Sequence, residues 1–435
     1  MTVAKILIHS IVFKPDGVST AYLYADLVSE LKKYGHELVV LTSTPHYNKV
    51  ESAIAAQPLI KRRGGLYYTS MYDGVEVYHI PMTKAKGTLR RIVDFIKFHV
   101  LGLGIGLSLN KFDVVLSPSP PLTIGVVGAL IAGLKGGKAI YNVQEIYPDF
   151  AINQGVVKNG LLIKVLKGIE KFIYNRSAAV VTIDDKFSDI IRPRFKDVRK
   201  LHVIPNFVDT QLYMPGARHN AFSAQHGLDD KFVIAYAGNI GFAQNWEPVL
   251  HAAKALEHLP VTFLIVGDGV RKAWLREQIA ERGINTILLL DYQPREAMPL
   301  INASADLHTI VMSADMDNDG FPSKIYTILA SGRPVLVSTG SDSPLSNLMR
   351  KANAQRKVGL NDNESYAAAI AKAYAEREQL PAEGAAGRAF IEGNYSKEAV
   401  AMQYHQLIQR IAAPVSEQGQ SIQVPDTMVV SNQKI

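Results

Sequence analysis

The chain has 435 residues, of which 47% are hydrophobic and 20% charged, with a formal net charge of +7. This length exceeds that of one ordinary domain, so two domains are predicted. The sequence contains no cysteine, which excludes disulfides, thiolate metal sites and cysteine nucleophiles. Positive charge is concentrated in residues 1–176, with 21 lysines and arginines against 12 aspartates and glutamates. This basic half predicts an anionic partner: nucleic acid, a membrane surface or a phosphorylated acceptor.

Strand and helix patterns alternate along the chain, as they do in parallel α/β domains. In the first half the predicted strands and helices cover residues 5–10, 19–34, 37–42, 114–117, 122–134, 139–143, 157–175, 180–183 and 201–204. In the second half they cover residues 232–236, 246–257, 261–266, 271–282, 286–290, 295–303 and 307–311. The pattern restarts after residue 205, which predicts two Rossmann-like domains that face each other across a cleft, with ligands at the carboxyl ends of the strands.

The predicted domain limits are 1–205 and 206–396, with a final helix over 397–412 that returns to the first domain. Residues 414–435 are polar and lack a helical period, so we expect a disordered tail. The first residues read as a strand without a signal-peptide cleavage site. The apolar runs 98–109 and 121–134 are too short to span a bilayer. We therefore expect a cytoplasmic protein that is soluble or peripheral.

The most informative stretch is GFPSKIYTILASGRPVLVSTG, residues 320–340. It predicts a loop, a short helix with Pro322 as its first residue, a C-cap at Gly332 and a buried strand. A helix N-terminus carries free N–H groups and a positive dipole end, so Lys324 in the first turn has an unfavourable charge. A bound anion would make that lysine favourable. The stretch therefore predicts a diphosphate site that includes Ser323 and Lys324.

Several turns that follow predicted strands carry further candidates for ligand contacts. Main-chain N–H groups in the turns after the predicted strands 232–236 and 261–266 would face a phosphate or sugar. The turn after strand 286–290 would border a nucleobase. An ordinary turn is the alternative for each. The candidates are Gly238, Asn239 and Gly241, then Gly267, and then Tyr292 and Gln293.

Acidic residues follow the predicted strand 139–143 in the sequence NVQEIYPD. A carboxylate in a loop that faces the cleft is suited to catalysis or to orienting a substrate, which makes Glu145 the main candidate and Asp149 a weaker one. The alternative is a cap of a helix or turn. Asn206, in the turn between the domains, is expected to bond main-chain groups at a hinge.

The loop FKPDGVST after the first strand contains Asp16, Gly17 and Ser19, where Gly17 allows close backbone approach and Ser19 is a plausible N-cap. The loop lacks the GxGxxG pattern of dinucleotide-binding proteins, and either an acceptor contact or an ordinary turn fits it. Residues 61–109, which include His99, are basic, aromatic and apolar. They predict either a helix that rests on an anionic bilayer or an ordinary surface helix. The histidines show no metal-ligand spacing.

The ordered set FKPDGVST, QEIYPD, VIPNFVD, YAGNIG, VGDG, DYQPRE and GFPSKIYTILASGRPVL resembles the retaining glycosyltransferases of family 4. The resemblance covers residues 3–412 and is strongest to the bacterial branch of fucosyl- and fucosaminyl-transferase-like enzymes of surface polysaccharides. It implies the GT-B fold, with a nucleotide sugar in the C-terminal domain and the acceptor in the N-terminal domain.

The resemblance also assigns roles to particular residues. Asp319 and Thr327 occupy the positions of an acidic pair, of which the first contacts the donor sugar and the second the ribose. The family's Arg and Lys after the first strand of the C-terminal domain are absent, and Lys324 is the candidate replacement. Glu145 takes the acidic position of the acceptor side. The residues implied in acceptor binding are Asp16, Gly17, Ser19 and His99.

The implied reaction transfers a sugar from a nucleoside diphosphate to a hydroxyl, with retention at the anomeric carbon and without a metal or cofactor. A UDP-sugar is favoured over a GDP-sugar, and the acceptor would be a saccharide, free or linked to a lipid diphosphate. The implied location is the cytoplasmic face of the inner membrane, on its anionic surface. A nucleotide-sugar epimerase and a non-catalytic nucleotide-sugar-binding protein stay open as alternatives, whereas dispersed basic residues argue against nucleic-acid binding.

Overall fold

The computed structural model describes residues 3–83, 88–317, 321–354 and 356–412. Two of the sequence predictions, the role of Asp319 and the tail over 414–435, lie outside these residues. The description that follows concerns the described part of the chain.

The N-terminal part forms one sheet, which contains nine strands within the described residues, in the order β3-β4-β5-β2-β1-β6-β7-β8-β9. All neighbours from β5 to β9 are parallel, and β3, β4 and β5 pair antiparallel at one edge. The strands are β1 Lys5–His9, β2 Glu37–Ser43, β3 Ile60–Arg62, β4 Tyr67–Tyr72, β5 Val75–Ile80, β6 Val114–Pro118, β7 Lys138–Val143, β8 Ala179–Thr182 and β9 Leu201–Val203.

Helices cover both faces of this sheet, so its strands are apolar on both sides. The helices are α1 Ser19–Lys33, α2 Glu51–Ala56, α3 Thr88–Ser108, α4 Ile124–Lys135, α5 Asp149–Asn153, α6 Gly160–Arg176 and α7 Asp185–Ile191. One buried cluster lies under α3, α4 and α6, where Phe98, Ile131 and Ile173 pack against Leu7 and Val115. The other face of the sheet packs against α1.

The C-terminal part forms a second sheet of parallel strands, whose order within the described residues is β12-β11-β10-β13-β14-β15. The strands are β10 Phe232–Ala237, β11 Val261–Val266, β12 Ile287–Leu290, β13 Leu307–Val311, β14 Val335–Ser338 and β15 Lys357–Val358. The helices are α8 Ala221–Gln225, α9 Glu247–Ala255, α10 Lys272–Glu281, α11 Met298–Ala303, α12 Lys324–Ala330, α13 Pro344–Lys351, α14 Asn363–Ala375 and α15 Leu380–Tyr395.

The last described helix, α16 Lys397–Ala412, returns to the N-terminal sheet. Val400, Tyr404 and Ile408 are buried in the cluster under α1. The two sheets, the second of them parallel and the first parallel except at one edge, confirm the predicted α/β architecture together with the returning helix. The antiparallel edge of β3 and β4 was not predicted, because the basic and aromatic residues of that segment suggested a membrane-facing helix.

Candidate functional site

A cavity of about 500 Å³ lies between the two domains. Both domains contribute to its wall at the carboxyl ends of their parallel strands, where ligands bind in such folds. The N-terminal domain supplies Gly17, Ser19 and the first turns of α1, and the C-terminal domain supplies the loop after β12 and the start of α12. Sequence candidates from distant parts of the chain therefore meet at one cavity: Gly17, Ser19, Tyr292, Gln293, Ser323 and Thr327.

Lys324 is the first residue of α12, and its side chain lies against an aromatic ring instead of a carboxylate. Its Nζ lies 3.5 Å from the centroid of the Tyr236 ring. A Cβ on Gly238 would lie 2.9 Å from the same Nζ, and the φ of +143° at this position favours glycine. Burial lowers the pKa of Lys324 to about 7. No carboxylate pairs with it among the described residues, so this cation has an aromatic face and no counter-ion.

The start of α12 differs by two residues from the prediction. The helix begins at Lys324 with Ser323 as its N-cap, so Pro322 precedes the helix and is not its first residue. The N–H groups of Ile325 and Tyr326 donate to the carbonyls of Pro322 and Ser323. Those of Ser323 and Lys324 donate to no residue in the described part of the chain. Within the described residues, two main-chain donors without a partner thus lie beside the lysine.

Thr327 lies one turn further along α12 and lines the cavity. Its Oγ1 donates to the carbonyl of Lys324 at 2.9 Å, which leaves the oxygen's lone pairs available to a ligand hydroxyl. Thr327 is neutral, so the cavity has a hydroxyl where the family resemblance implies a carboxylate.

The glycine turn after β10 corrects a sequence prediction. The N–H of Gly238 donates to the carbonyl of Val266 at 2.9 Å, and that of Gly241 donates to Oε1 of Gln244 at 2.9 Å. These N–H groups are therefore committed to the protein and are not free to hold a phosphate, as the sequence had suggested. Asn239 lies between them, and its carbonyl accepts the Tyr236 hydroxyl at 2.6 Å.

Gly267 has a packing role that the sequence did not indicate. A Cβ at this position would lie 1.9 Å from the carbonyl oxygen of Gly238. The two turns after β10 and β11 therefore touch through their backbones, and only glycine permits this approach. The N–H of Gly267 also donates to the carbonyl of Leu290. The predicted contact from its N–H to a donor phosphate is thus replaced by a structural bond.

The loop after β12 reaches the cavity as predicted and carries a residue that sequence reasoning missed. Tyr292 is 64% exposed and lines the cavity beside Gln293, whose amide bonds the carbonyl of Asp291 at 3.3 Å. The guanidinium of Arg295 lies 4.2 Å from the centroid of the Tyr22 ring on α1. This cation–π contact joins the two domains across the cavity. Sequence gave no indication of it, because its partners are far apart in the chain.

Glu145 lies in the loop after β7, and burial raises the pKa of its carboxyl, opposed by a hydrogen bond from Tyr147. Its neighbour Gln144, not Glu145 itself, lines the main cavity. The amide of Gln144 is fixed by Asn206, whose Nδ2 donates to Oε1 of Gln144 at 2.7 Å. The Ser119 hydroxyl accepts the Gln144 N–H at 3.1 Å. The loop that carries Glu145 is therefore held from several directions.

The weaker candidate Asp149 is engaged in an ion-pair network. Arg194 binds its carboxylate and also that of the buried Glu170, the latter at 2.6 Å. These contacts give Asp149 a structural role at the start of α5.

The proposed acceptor contact of Asp16 is not supported by its geometry. Its buried carboxylate accepts the main-chain N–H groups of His46, Tyr47 and Asn48 at 2.9, 3.0 and 2.9 Å. It holds the loop after β2 against the loop after β1. The neighbouring Gly17 and Ser19 do line the cavity. The sequence missed this role of Asp16 because its partners lie about thirty positions away.

His99 lies on α3, away from the cavity wall. Its Nε2 is 2.7 Å from Oγ1 of Thr123, just before α4, and burial lowers the pKa of the imidazole. The structure does not bring it to the other acceptor candidates. Among the described residues no group of three or more His, Asp or Glu is placed to bind a metal ion, and no helix has the length and apolar character that crossing a bilayer requires.

Two protein-family models match the chain along most of its length. The Glycosyl transferase 4-like domain matches residues 20–206, and Glycosyl transferases group 1 matches residues 219–389. The first match includes every described strand of the N-terminal sheet except β1, and the second includes every described strand of the C-terminal sheet. This match favours a glycosyltransferase over the epimerase and the non-catalytic alternatives.

Two curated relatives of the chain are also glycosyltransferases by name. WcaI of Escherichia coli strain K12, whose name assigns it as a glycosyl transferase of colanic acid biosynthesis, is 23% identical over 354 residues, covering 79% of this chain and 85% of WcaI. The glycosyltransferase WbjE of Pseudomonas aeruginosa is 25% identical over 335 residues, covering 74% of this chain and 81% of WbjE.

Solved structures share the fold. Anabaena HepE in complex with UDP-glucose superposes with a TM-score of 0.68 at 15% identity, covering 93% of this chain and 99% of HepE. Sucrose-phosphate synthase of Thermosynechococcus elongatus superposes with a TM-score of 0.68 at 14% identity, covering 94% of this chain and 99% of the synthase. The chain is therefore a glycosyltransferase of the group 1, GT4-like family with the GT-B fold.

Proposed function

We propose that this glycosyltransferase moves a hexosyl or N-acetylhexosaminyl residue from a nucleoside diphosphate, favouring UDP, to an acceptor hydroxyl, with retention at the anomeric carbon. The observation that carries the proposal is Lys324 at the start of α12, which has no carboxylate partner among the described residues. A lysine with a lowered pKa and no counter-ion is stabilised when an anion binds beside it. The N–H groups of Ser323 and Lys324, which donate to no described residue, would bind the same anion.

We infer that the diphosphate would lie at the end of the cavity lined by Ser323, the residue next to Lys324; Lys324 itself does not line the wall. The cavity volume of about 500 Å³ lies within the range of small-ligand sites. Tyr292 and Gln293 would border the base, and the Thr327 hydroxyl oxygen would accept a hydrogen bond from a ribose hydroxyl. The HepE structure contains UDP-glucose, which supports a UDP-sugar as the first donor to test. Asp319 is proposed to contact the donor sugar.

In the proposed reaction the bond between the anomeric carbon and the diphosphate oxygen breaks, and the acceptor oxygen bonds that carbon on the same face. The acceptor proton passes to the departing phosphate oxygen. Lys324 stabilises the negative charge that develops on the diphosphate, so no metal ion is needed in this step. Glu145 orients the acceptor hydroxyl, and closure of the domains across the Arg295–Tyr22 contact excludes water.

The acceptor is proposed to be a growing saccharide on a lipid diphosphate at the cytoplasmic face of the inner membrane. Support comes from the name of the relative WcaI, which refers to colanic acid, a surface polysaccharide, and from the basic N-terminal domain. The product would belong to a capsule, O-antigen or exopolysaccharide, in line with the fucosyl- and fucosaminyl-transferase-like branch.

The test begins with a thermal-shift panel of UDP-, GDP-, ADP- and TDP-sugars, in which the true donor raises the unfolding temperature most. Transfer from that donor to a lipid extract of polysaccharide-producing cells is then measured for Lys324→Ala. We expect kcat/KM to fall by about 100-fold or more, because a charge that acts in the transition state is lost. The exposed Lys254→Ala on α9 is the control. Wild-type kcat/KM in Lys324→Ala would overturn the diphosphate assignment.

A further inference from the structure

Three neighbouring helices of the N-terminal domain, α3, α4 and α6, carry apolar side chains on their outer side. Helix α4 lies between the other two and packs against both. The exposed residues recur at helical spacing, so that Ile92, Ile96 and Val100 follow one another at every fourth position of α3. Leu134 on α4 is 68% exposed and Leu161 on α6 is 74% exposed. We call this surface the α3/α4/α6 face.

Lysines run along the same face without acidic partners. On α6, Lys164, Lys167 and Lys171 are exposed at i, i+3 and i+7, beside the apolar row of Val165 and Phe172. None of these three lysines forms an ion pair within the described residues. The face is therefore apolar in its middle and positive along one edge.

Acidic residues are nearly absent from the three helices. By sequence, α3, α4 and α6 contain only Asp94 and Glu170. Asp94 accepts the Thr83 hydroxyl at 2.9 Å, and Glu170 is buried and paired with Arg194. Neither acid neutralises the exposed lysines. Within the described residues, the exposed lysines of α6 therefore have no acidic partner.

We propose that the α3/α4/α6 face docks on an anionic lipid bilayer. Apolar side chains would enter the boundary between head groups and acyl chains, while the lysines would reach lipid phosphates with extended side chains. A protein partner fits less well, because lysine is depleted at protein–protein interfaces whereas a basic edge beside an apolar row is typical of helices that lie on membranes. The helices would lie on the bilayer and not cross it.

The position of the face suits an enzyme that works at a membrane. It lies on the side of the sheet opposite α1 and α16, whereas α1 lines the cavity. The bilayer would thus contact the N-terminal domain without covering the donor side of the cleft. This inference deepens the proposed function, because it supplies the surface from which a lipid-linked acceptor would be reached.

Vesicle flotation tests the inference without donor or acceptor, so its outcome is separate from that of sugar transfer. We expect the full chain to float with vesicles of phosphatidylcholine containing about a third phosphatidylglycerol, and not with pure phosphatidylcholine, and to dissociate in high salt. Leu134→Glu and Val165→Glu should each lower binding at least about 10-fold, since a carboxylate is costly in the bilayer interface. The triple Lys164→Glu, Lys167→Glu, Lys171→Glu variant should lose about 100-fold.

Met402→Glu is the matched control, because Met402 is an exposed apolar residue on α16, on the opposite face of the same sheet. This variant should float like the wild type, and thermal unfolding should show that all variants are folded. Equal binding to neutral and anionic vesicles, or unchanged binding of Leu134→Glu, would overturn the proposal. So would light scattering in which Leu134→Glu dissociates a dimer while vesicle binding persists, because the face would then bind a second copy.

Discussion

The Nζ atom of Lys324 lies 3.5 Å from the centre of the Tyr236 ring, in the space that Gly238 leaves open. An aromatic face compensates only part of the desolvation of an ammonium group. No carboxylate among the described residues compensates the rest, and burial lowers the pKa of the lysine to about 7. An anion bound beside Lys324, as we propose, would stabilise its charged form.

The pH dependence of stability should reveal this lysine. The folded-state pKa of about 7 lies below the ordinary value of 10.5, so between these values the unfolded chain binds more protons than the folded chain. Stability from this group consequently rises as the pH rises from about 7 towards 10.5. Urea unfolding at pH 7 and pH 9 should show a smaller rise for Lys324→Met than for the wild type. Parallel pH profiles of the two proteins would refute the lowered pKa.

Glu145 should control the fall in activity at acid pH. Its raised pKa means that the carboxylate needed to orient the acceptor forms only above the ordinary range of glutamate. Glu145→Gln should lower kcat by about 100-fold and remove that fall. Asp149→Asn provides the comparison, because Asp149 serves an ion pair with Arg194. A fall that persists in Glu145→Gln would show that another group titrates.

Asp16 should matter for stability more than for chemistry. Its buried carboxylate accepts three main-chain N–H groups, so Asp16→Ala leaves these donors without partners. The free energy of unfolding should fall by about 3 kcal/mol, measured by urea titration. Asp189→Ala, at an exposed carboxylate on α7, should unfold like the wild type. An Asp16→Ala protein of normal stability and poor acceptor binding would instead restore the acceptor role.

Arg194 should be the most sensitive ion-pair residue of the N-terminal domain. Arg194→Met would leave the buried Glu170 carboxylate unpaired, which should cost about 3 kcal/mol of the free energy of unfolding. Arg199→Met removes an arginine that is almost fully exposed, and it should have no measurable effect. Chemical denaturation of the two variants side by side tests the contrast, and equal effects would contradict it.

Much of the fold was predictable because it depends on local signals. Apolar runs bounded by glycine turns located the parallel strands, and the unfavourable charge of the lysine in the first turn of α12 indicated the anion site that we propose. The roles of Gly238, Gly241 and Asp16 were not predictable, because their hydrogen-bond partners come from other loops. The sequence alone does not show whether a main-chain N–H is free or already bonded within the protein. The Arg295–Tyr22 contact depends on how the two domains face each other.

The central claim is that Lys324 holds the diphosphate, and the most direct test compares UDP with uridine by calorimetric titration of the wild type and Lys324→Met. We expect the wild type to bind UDP about 100-fold more tightly than uridine and to take up protons as UDP binds above pH 7, where the lysine is partly neutral. Lys324→Met should lose most of that preference and the proton uptake, while its affinity for uridine stays unchanged. An undiminished preference for UDP in Lys324→Met would contradict the claim.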